Sequence, residues 1–476
     1  MEKNMKHLFA AALAVIFTGC SGFLDINPKG EIFDKDMFTS AEGYEDAIYG
    51  VYSELSNNSV LYGGDLMLIP EMCSQNFTAQ GNYIYGNYAI ADWTSNGPMG
   101  SKKKIWTQCY QAINHLNNII YHAESDGPDK FRHSGLYLGE SLALRALVHF
   151  DLVRYFGPPF WASQTLKDKA IPYVKKYTFD VTPYSSMDQV YDQVIDDLVR
   201  AEGYLSEDNS LIPAQRTNSA TGFTDARITH MNLYAVQALL ARVYWTKGDL
   251  ANAAIYAQKV IDSHKFSFRP LSTFVQGTGG VLDMNETIFG FYSKDTQHSA
   301  GILLGVVGTS RKVYLANDWK SLYEDGAGVS SDYRLTSWFD SGNEIISKTV
   351  NYDLANDIQY SGKSIPGVNL LRIPEMYYIM TEYYLESNPR MAAEYFNAVT
   401  STRGLDPTAE SSLTYDLLFR ERRKEFYGEG FTWHEMKKLG MDINTAAGTL
   451  LSGNVPETYT ITIPDEEDES RNNLDK

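Results

Sequence analysis

Residues 238–262, ALLARVYWTKGDLANAAIYAQKVID, constrain the fold more than any other stretch of this chain. One helix runs to Trp245, Gly248-Asp249 turns the chain, and small Ala253-Ala254 open a second helix where the two must touch closely. Glycine just past a helix end supplies the left-handed residue that stops it. This is the plan of a tetratricopeptide-type helical hairpin. Residues 374–404 repeat it: a helix, a Ser387-Asn388-Pro389 turn, then Ala392-Ala393. No strict period of about 34 residues runs through the chain, so the hairpins are embedded and irregular.

Apolar spacing predicts further helices over 40–56, 103–123, 134–156, 185–204, 228–247, 250–264, 374–387, 389–402, 411–427 and 430–438. Thr39-Ser40 is an N-cap type pair before the first, and Gly157-Pro158-Pro159 ends the third. Between them lie long Gly-, Asn-, Ser- and aromatic-rich segments: 57–102, 157–183, 206–227, 266–373 and 440–476. Loops this long are usually functional or hide short strands. Thr287-Ile288-Phe289-Gly290-Phe291 and Tyr459-Thr460-Ile461-Thr462-Ile463 are the strand candidates. The expected fold is mainly α: a helical scaffold carrying a loop-rich layer with a few short strands.

The chain opens with a charged stretch to His7, an apolar run from Leu8 to Phe17, then Thr18-Gly19-Cys20. Ten apolar residues in a helix reach about 15 Å, half of a bilayer core. That excludes a permanent span and fits a cleaved leader, residues 1–19. Cys20 directly after Gly19 resembles a bacterial lipoprotein signal, which implies cleavage before Cys20 and diacylation of its thiol. Each buried methylene contributes roughly 0.8 kcal/mol, so several acyl chains hold a protein on a membrane.

The 476 residues carry a formal net charge of −18, with 43% hydrophobic and 21% charged, an ordinary folded composition. So acidic a chain repels nucleic acid, and no basic block offsets this. With Cys20 lipidated, Cys73 and Cys109 remain, and an exported chain could pair them. However, Cys109 lies on the stripe Ile105, Cys109, Ile113, Leu116, Ile120, which points it into a core.

Catalytic patterns are sparse. His434-Glu435 lacks the second histidine of a zinc protease, since position 438 is Lys. His115 and His122 read as ordinary helix histidines, and Gly277-Thr278-Gly279-Gly280 as a turn. The acidic run Asp465 to Glu469 reads as a solvated terminus, with no metal site assigned. A glycosidase needs two carboxylates facing each other about 5–9.5 Å apart, which sequence does not address.

The 33 tyrosines pack a helical core or face a ligand as flat amphipathic platforms. Sugar rings stack their C–H faces on such rings, while amides and charges bond the hydroxyls. Two segments have that composition. One is Asn76 to Tyr88, with Asn82, Tyr83, Tyr85 and Tyr88; the other carries Tyr292, Arg311, Tyr314, Asn317, Trp319 and Tyr323. From these, Asn82, Tyr83, Tyr85, Tyr88, Tyr292, Arg311, Tyr314 and Trp319 are the candidate ligand-binding residues. Trp93 reads as structural.

Five segments together resemble the SusD/RagB family of Bacteroidetes outer-membrane lipoproteins. They are Cys20-Ser21 with Phe23-Leu24-Asp25 and Pro28; Trp106, Tyr110, Ile113 and Asn117; Arg145 through Arg154-Tyr155-Phe156-Gly157-Pro158-Pro159; Leu371-Arg372-Ile373-Pro374-Glu375 leading to Arg403-Gly404-Leu405; and Glu421-Arg422-Arg423-Lys424-Glu425-Phe426 with Gly428-Glu429-Gly430. Their order and spacing span nearly the whole chain. The resemblance implies one SusD-like domain over 20–476, with ligand-binding insertions chiefly in 57–102 and 266–373. It implies a surface lipoprotein of the outer membrane that binds glycan and serves a SusC-like TonB-dependent transporter. It brings no catalytic residue and no cofactor. A RagB-like peptide cargo is the alternative, and an exported glycan-degrading enzyme the third reading. The chain departs from the family at His434 and Lys437-Lys438, loosely along its C-terminal pattern, and through 266–365. The charged residues of Arg145 to Arg154 and Arg420 to Glu425 are expected to tie neighbouring helices together.

Overall fold

The computed structural model describes residues 34–467 apart from 57–58, 80–83, 163–168, 179, 215–221, 226, 275–280, 294–312, 325–327, 329, 341, 343–344 and 349–364. Cys20 and the leader lie outside the described residues, as do Asn82, Tyr83, Arg311 and Gly277 to Gly280.

Helices dominate: α1 (Ala41–Ser56), α2 (Asp65–Cys73), α3 (Ile84–Ala89), α4 (Asn96–Asp126), α5 (Ser134–Phe156), α6 (Met187–Tyr204), α7 (Leu233–Lys247), α8 (Leu250–Asp262), α9 (Ile373–Tyr384), α10 (Pro389–Thr400), α11 (Tyr415–Glu425) and α12 (Thr432–Leu439). Successive helices pack on one another from α4 to α6, and again from α7 to α10. Helix α5 is apolar almost all round and buried along nearly its whole length, as an innermost helix must be. On α4 the stripe Ile105, Cys109, Ile113, Leu116 and Ile120 is buried as its spacing predicts.

The α7–α8 hairpin forms as read: Gly248 adopts φ +87°, and Asp249 caps α8 by accepting from Asn252 N–H. Asn388 caps α10 in the same way, with Pro389 in its first turn. Several boundaries differ, α4 starting at Asn96 rather than 103 and α11 at Tyr415 rather than 411, and at α7 the cause is a side chain. Helix α7 starts at Leu233, not 228, because Asn232 accepts from Ala235 N–H (2.9 Å) and donates to the carbonyls of Arg227 and Ile288. That side chain ends a separate turn at Arg227–Thr229 and opens a new helix.

Among the described residues the strands are few: β1 (Phe77–Ala79), β2 (Val281–Leu282), β3 (Thr287–Tyr292), β4 (Val313–Leu315) and β5 (Ile365–Arg372), with three two-residue ladders besides. Strand β5 lies between β2 and β3, antiparallel to both, while β1 pairs with β4. The strand expected at 459–463 is absent. Pro456–Tyr459 is a turn of 3-10 helix, and Ile461 N–H donates to Tyr155 O (3.1 Å). The carbonyls at the end of α5 have no intrahelical donor, and this segment satisfies one of them. Lys437 Nζ takes two more, Arg154 O (2.7 Å) and Gly157 O (2.6 Å), which gives this departure from the family pattern a role. Cys73 and Cys109 are both free thiols and both buried.

Buried charge ties the helices together. Arg145 donates to both Asp197 oxygens (2.8 and 2.7 Å) and to Asn117 Oδ1 (2.8 Å), joining α5, α6 and α4. Arg242 holds Glu375 with two bonds (2.7 and 2.6 Å), joining α7 to α9. The densest knot surrounds Glu425, where Arg334, Arg372 and Arg403 all donate within 3.0 Å. Glu286 accepts from the last two as well.

Candidate ligand-binding surface

The β1–β4 ribbon joins the two aromatic segments that the sequence set apart. Phe77 faces Leu315, Thr78 faces Tyr314 and Ala79 faces Val313. Phe77, Val313 and Leu315 are buried, so strand alternation turns Thr78 and Tyr314 to the opposite face. Both are half-buried. Residues 80–83 continue directly from β1, and 311–312 lead directly into β4. Asn82, Tyr83 and Arg311 are therefore within a few residues of this ribbon along the chain.

Asn76 anchors the ribbon. Its carbonyl accepts from Ala316 N–H (3.0 Å) and from Tyr427 Oη. Its side chain donates to Glu71 Oε2 (2.8 Å) and accepts from Arg423 Nε (2.8 Å). Burial raises the Glu71 carboxyl, and bonds from Asn76 and from Gly430 N–H offset part of that rise. Asn76→Ala leaves a buried carboxylate and a guanidinium each one partner short. It is expected to cost about 1–3 kcal/mol, read from urea unfolding of the two proteins.

The other candidates fare differently. Tyr85 is 4% exposed and Tyr88 is 1% exposed, so both are corrected to core residues. They stand three apart on α3, which places both on the face turned inward. Tyr85 Oη donates to Asp65 Oδ1 (2.7 Å). Trp319, at 7% exposure, is also a core residue: its ring stacks on Phe339, centroids 4.7 Å apart, and Phe339 meets Tyr427, which meets Phe77 of the ribbon. Tyr323 is buried and donates to Lys424 O (2.8 Å). Tyr292 is 46% exposed, at the end of β3. Trp93 is structural as read, with Nε1 donating to Glu457 O (3.3 Å).

A cavity of about 30 Å³ lies elsewhere, lined by Tyr62, Asp151, Arg154, Arg242, Glu429 and His434 among others. Sites for drug-sized ligands run about 300–1,000 Å³, so no sugar ring enters it. His434 is neutral there: burial, then the charges of Arg154, Lys437 and Arg242, hold its pKa far down. Its neighbour Glu435 is spent on Arg422 (2.8 Å). Among the described residues no three His, Cys, Asp or Glu side chains gather as a metal ion would need. No helix of the described residues is long and apolar enough to cross a membrane.

Comparisons with known proteins show what this helical-hairpin scaffold and its short ribbon resemble. Residues 23–245, a little under half of the chain, match the SusD-like family described as starch-binding and associating with the outer membrane. A SusD-like protein P2 of Formosa agariphila is 25% identical over 302 residues, which is 60% of this chain and 51% of that one. The match thus spans about half the length of that relative. A solved SusD superfamily protein of Bacteroides thetaiotaomicron superposes with a TM-score of 0.72 at 19% identity, covering 91% of this chain and 98% of the other. A SusD-like carbohydrate binding protein of Bacteroides vulgatus gives 0.71 at 18% identity, covering 91% and 96%. Over residues 23–245 the chain is similar to the SusD-like family, and over nine-tenths of its length it shares the fold of these solved structures.

Proposed function

We propose that this chain is a cell-surface glycan-binding lipoprotein, held on the outer membrane through Cys20. It captures oligosaccharide or polysaccharide, delivers it to a SusC-like TonB-dependent transporter, and catalyses nothing. The observation that carries the binding role is the meeting of two Tyr- and Asn-rich segments in one ribbon, with Tyr314 on the face opposite the buried Phe77, whose ring meets Tyr427 and through it Phe339. An aromatic ring on a rigid support costs little entropy to present. The family description and the Bacteroides vulgatus neighbour's carbohydrate binding support the same cargo class. The transporter, the lipid and the membrane rest on the similarity to SusD-like proteins and on the Gly19-Cys20 leader.

Calorimetry and gel retardation against a panel of polysaccharides test this reading. Tyr314→Ala is expected to weaken the bound glycan about tenfold, the equivalent of about 1.4 kcal/mol. Wild-type affinity in Tyr314→Ala and Tyr292→Ala alike would remove the ribbon from the site. Binding of basic peptides in place of glycans would move the cargo to the RagB-like class.

A further inference from the structure

Six of the seven tryptophans are at most 7% exposed, and Trp161 alone stands out at 41%. It sits in the Phe160–Ala162 turn that follows Gly157-Pro158-Pro159. The ring does not swing freely. Its Nε1 donates to Lys437 O (3.0 Å), and the bare Cα of Gly440 backs that edge: a Cβ there would lie 3.5 Å from Trp161 Cε2 and Nε1. Gly440 is also at φ +62°, where glycine is favoured. The polar edge of the indole is thus spent inside the protein, and what remains presented is apolar ring.

The surroundings suit a sugar. Gly440 O and Gly453 are in close approach, and Gly453 N–H donates to Asp442 Oδ1 (2.7 Å). Asp442, Asn444 and Asn454 are exposed beside this contact. The same segment, through its Ile443–Asn444 and Leu450–Leu451 ladder, reaches Gln75, whose Oε1 accepts from Ala446 N–H (3.0 Å). Gln75 adjoins Asn76, the anchor of the ribbon. A continuous chain of contacts therefore leads from the ribbon to Trp161.

We propose that Trp161 is a second carbohydrate-stacking platform, with Asp442, Asn444 and Asn454 bonding hydroxyls of a glycan that also contacts the β1–β4 ribbon. This rests on the glycan reading above. Two linked contacts strengthen binding of long chains more than of short ones, because the second engagement is intramolecular.

The test uses the full chain and the best-bound polysaccharide of the panel. Collisional quenching of tryptophan fluorescence by acrylamide reports mainly on Trp161, the exposed ring. Bound polysaccharide is expected to protect it, and Trp161→Phe to abolish the quenchable component. Trp161→Ala is expected to weaken the polysaccharide about tenfold and a short oligosaccharide little, with Trp161→Phe restoring most of the loss. Thermal unfolding of each variant separates binding from folding. If the wild type binds polysaccharide but quenching and the Trp161→Ala affinity stay unchanged, the platform is wrong and the ribbon reading stands. If the wild type binds no glycan, both readings fail together.

Discussion

Glu425→Ala is expected to leave the protein unfolded or barely folded at room temperature. Glu425 is fully buried, and its two oxygens accept from Arg334, Arg372 and Arg403. Burial alone would raise its pKa, but Arg403, Arg372 and Arg334 hold it well below the usual carboxylate range. Removing it takes a carboxylate partner from three buried guanidinium groups at once, leaving Asp332 and Glu421 to Arg334, Glu429 to Arg372, and Glu286 shared by Arg372 and Arg403. Breaking one buried pair costs about 3–5 kcal/mol, against a total stability of about 5–15 kcal/mol for a typical domain. Glu425→Gln keeps the shape and loses the charge, so it is expected to fall between. Arg390→Ala, whose ion pair with Glu394 is exposed, is the control and is expected to change nothing measurable. Denaturant unfolding of the three variants beside the wild type checks the order.

The second large effect is a loss of stability in acid that passes through His149. Its Nδ1 faces Arg145 O (2.9 Å), which only accepts, so Nδ1 carries the proton. Its Nε2 faces Val174 N–H (3.0 Å), which only donates, so Nε2 is bare. Tyr173 stacks on the ring at 3.9 Å. A second proton would set two donors face to face inside the core. Burial therefore lowers the His149 pKa from 6.5 to about 3. A depressed folded-state pKa means the stabilisation is whole above 6.5 and is lost as pH falls toward 3, at up to about 1.4 kcal/mol per pH unit. Glu435 runs the other way. Burial, with Glu382 close by and Arg422 offsetting only part, raises it from 4.5 to about 7. Its contribution is present below 4.5 and disappears as pH rises through 7. His149→Gln is expected to cost stability at pH 7.5 and progressively less at pH 6, 5 and 4. A cost independent of pH would show that His149 is not held neutral.

Long helices were legible because their apolar spacing repeats over many residues. Residues 134–156 were read with the boundaries the structure has, since Gly157-Pro158-Pro159 stops the helix sharply. The 228–247 helix was read five residues too long at its start, because Asn232 sits inside an otherwise helical pattern and acts through a tertiary contact with Ile288 O. The ribbon was hidden: three-residue strands carry no periodic signal, and Thr78 meets Tyr314 only through the tertiary fold. Tyr85 and Tyr88 read as loop aromatics because Gly81, Asn82, Gly86 and Asn87 surround them, although their spacing of three is a helix-face signal. Trp161 was missed inside a long loop segment, and an aromatic pair just after a helix stop is the sign that could have found it.

The most direct measurement is a crystal structure of the protein with the tightest-binding oligosaccharide of the panel. The glycan-capture account predicts a sugar ring against Tyr314 on the outward face of the β1–β4 ribbon, with the Trp319–Phe339 stack unmoved. A glycan bound on another face of the helical scaffold, with the ribbon bare, would contradict it.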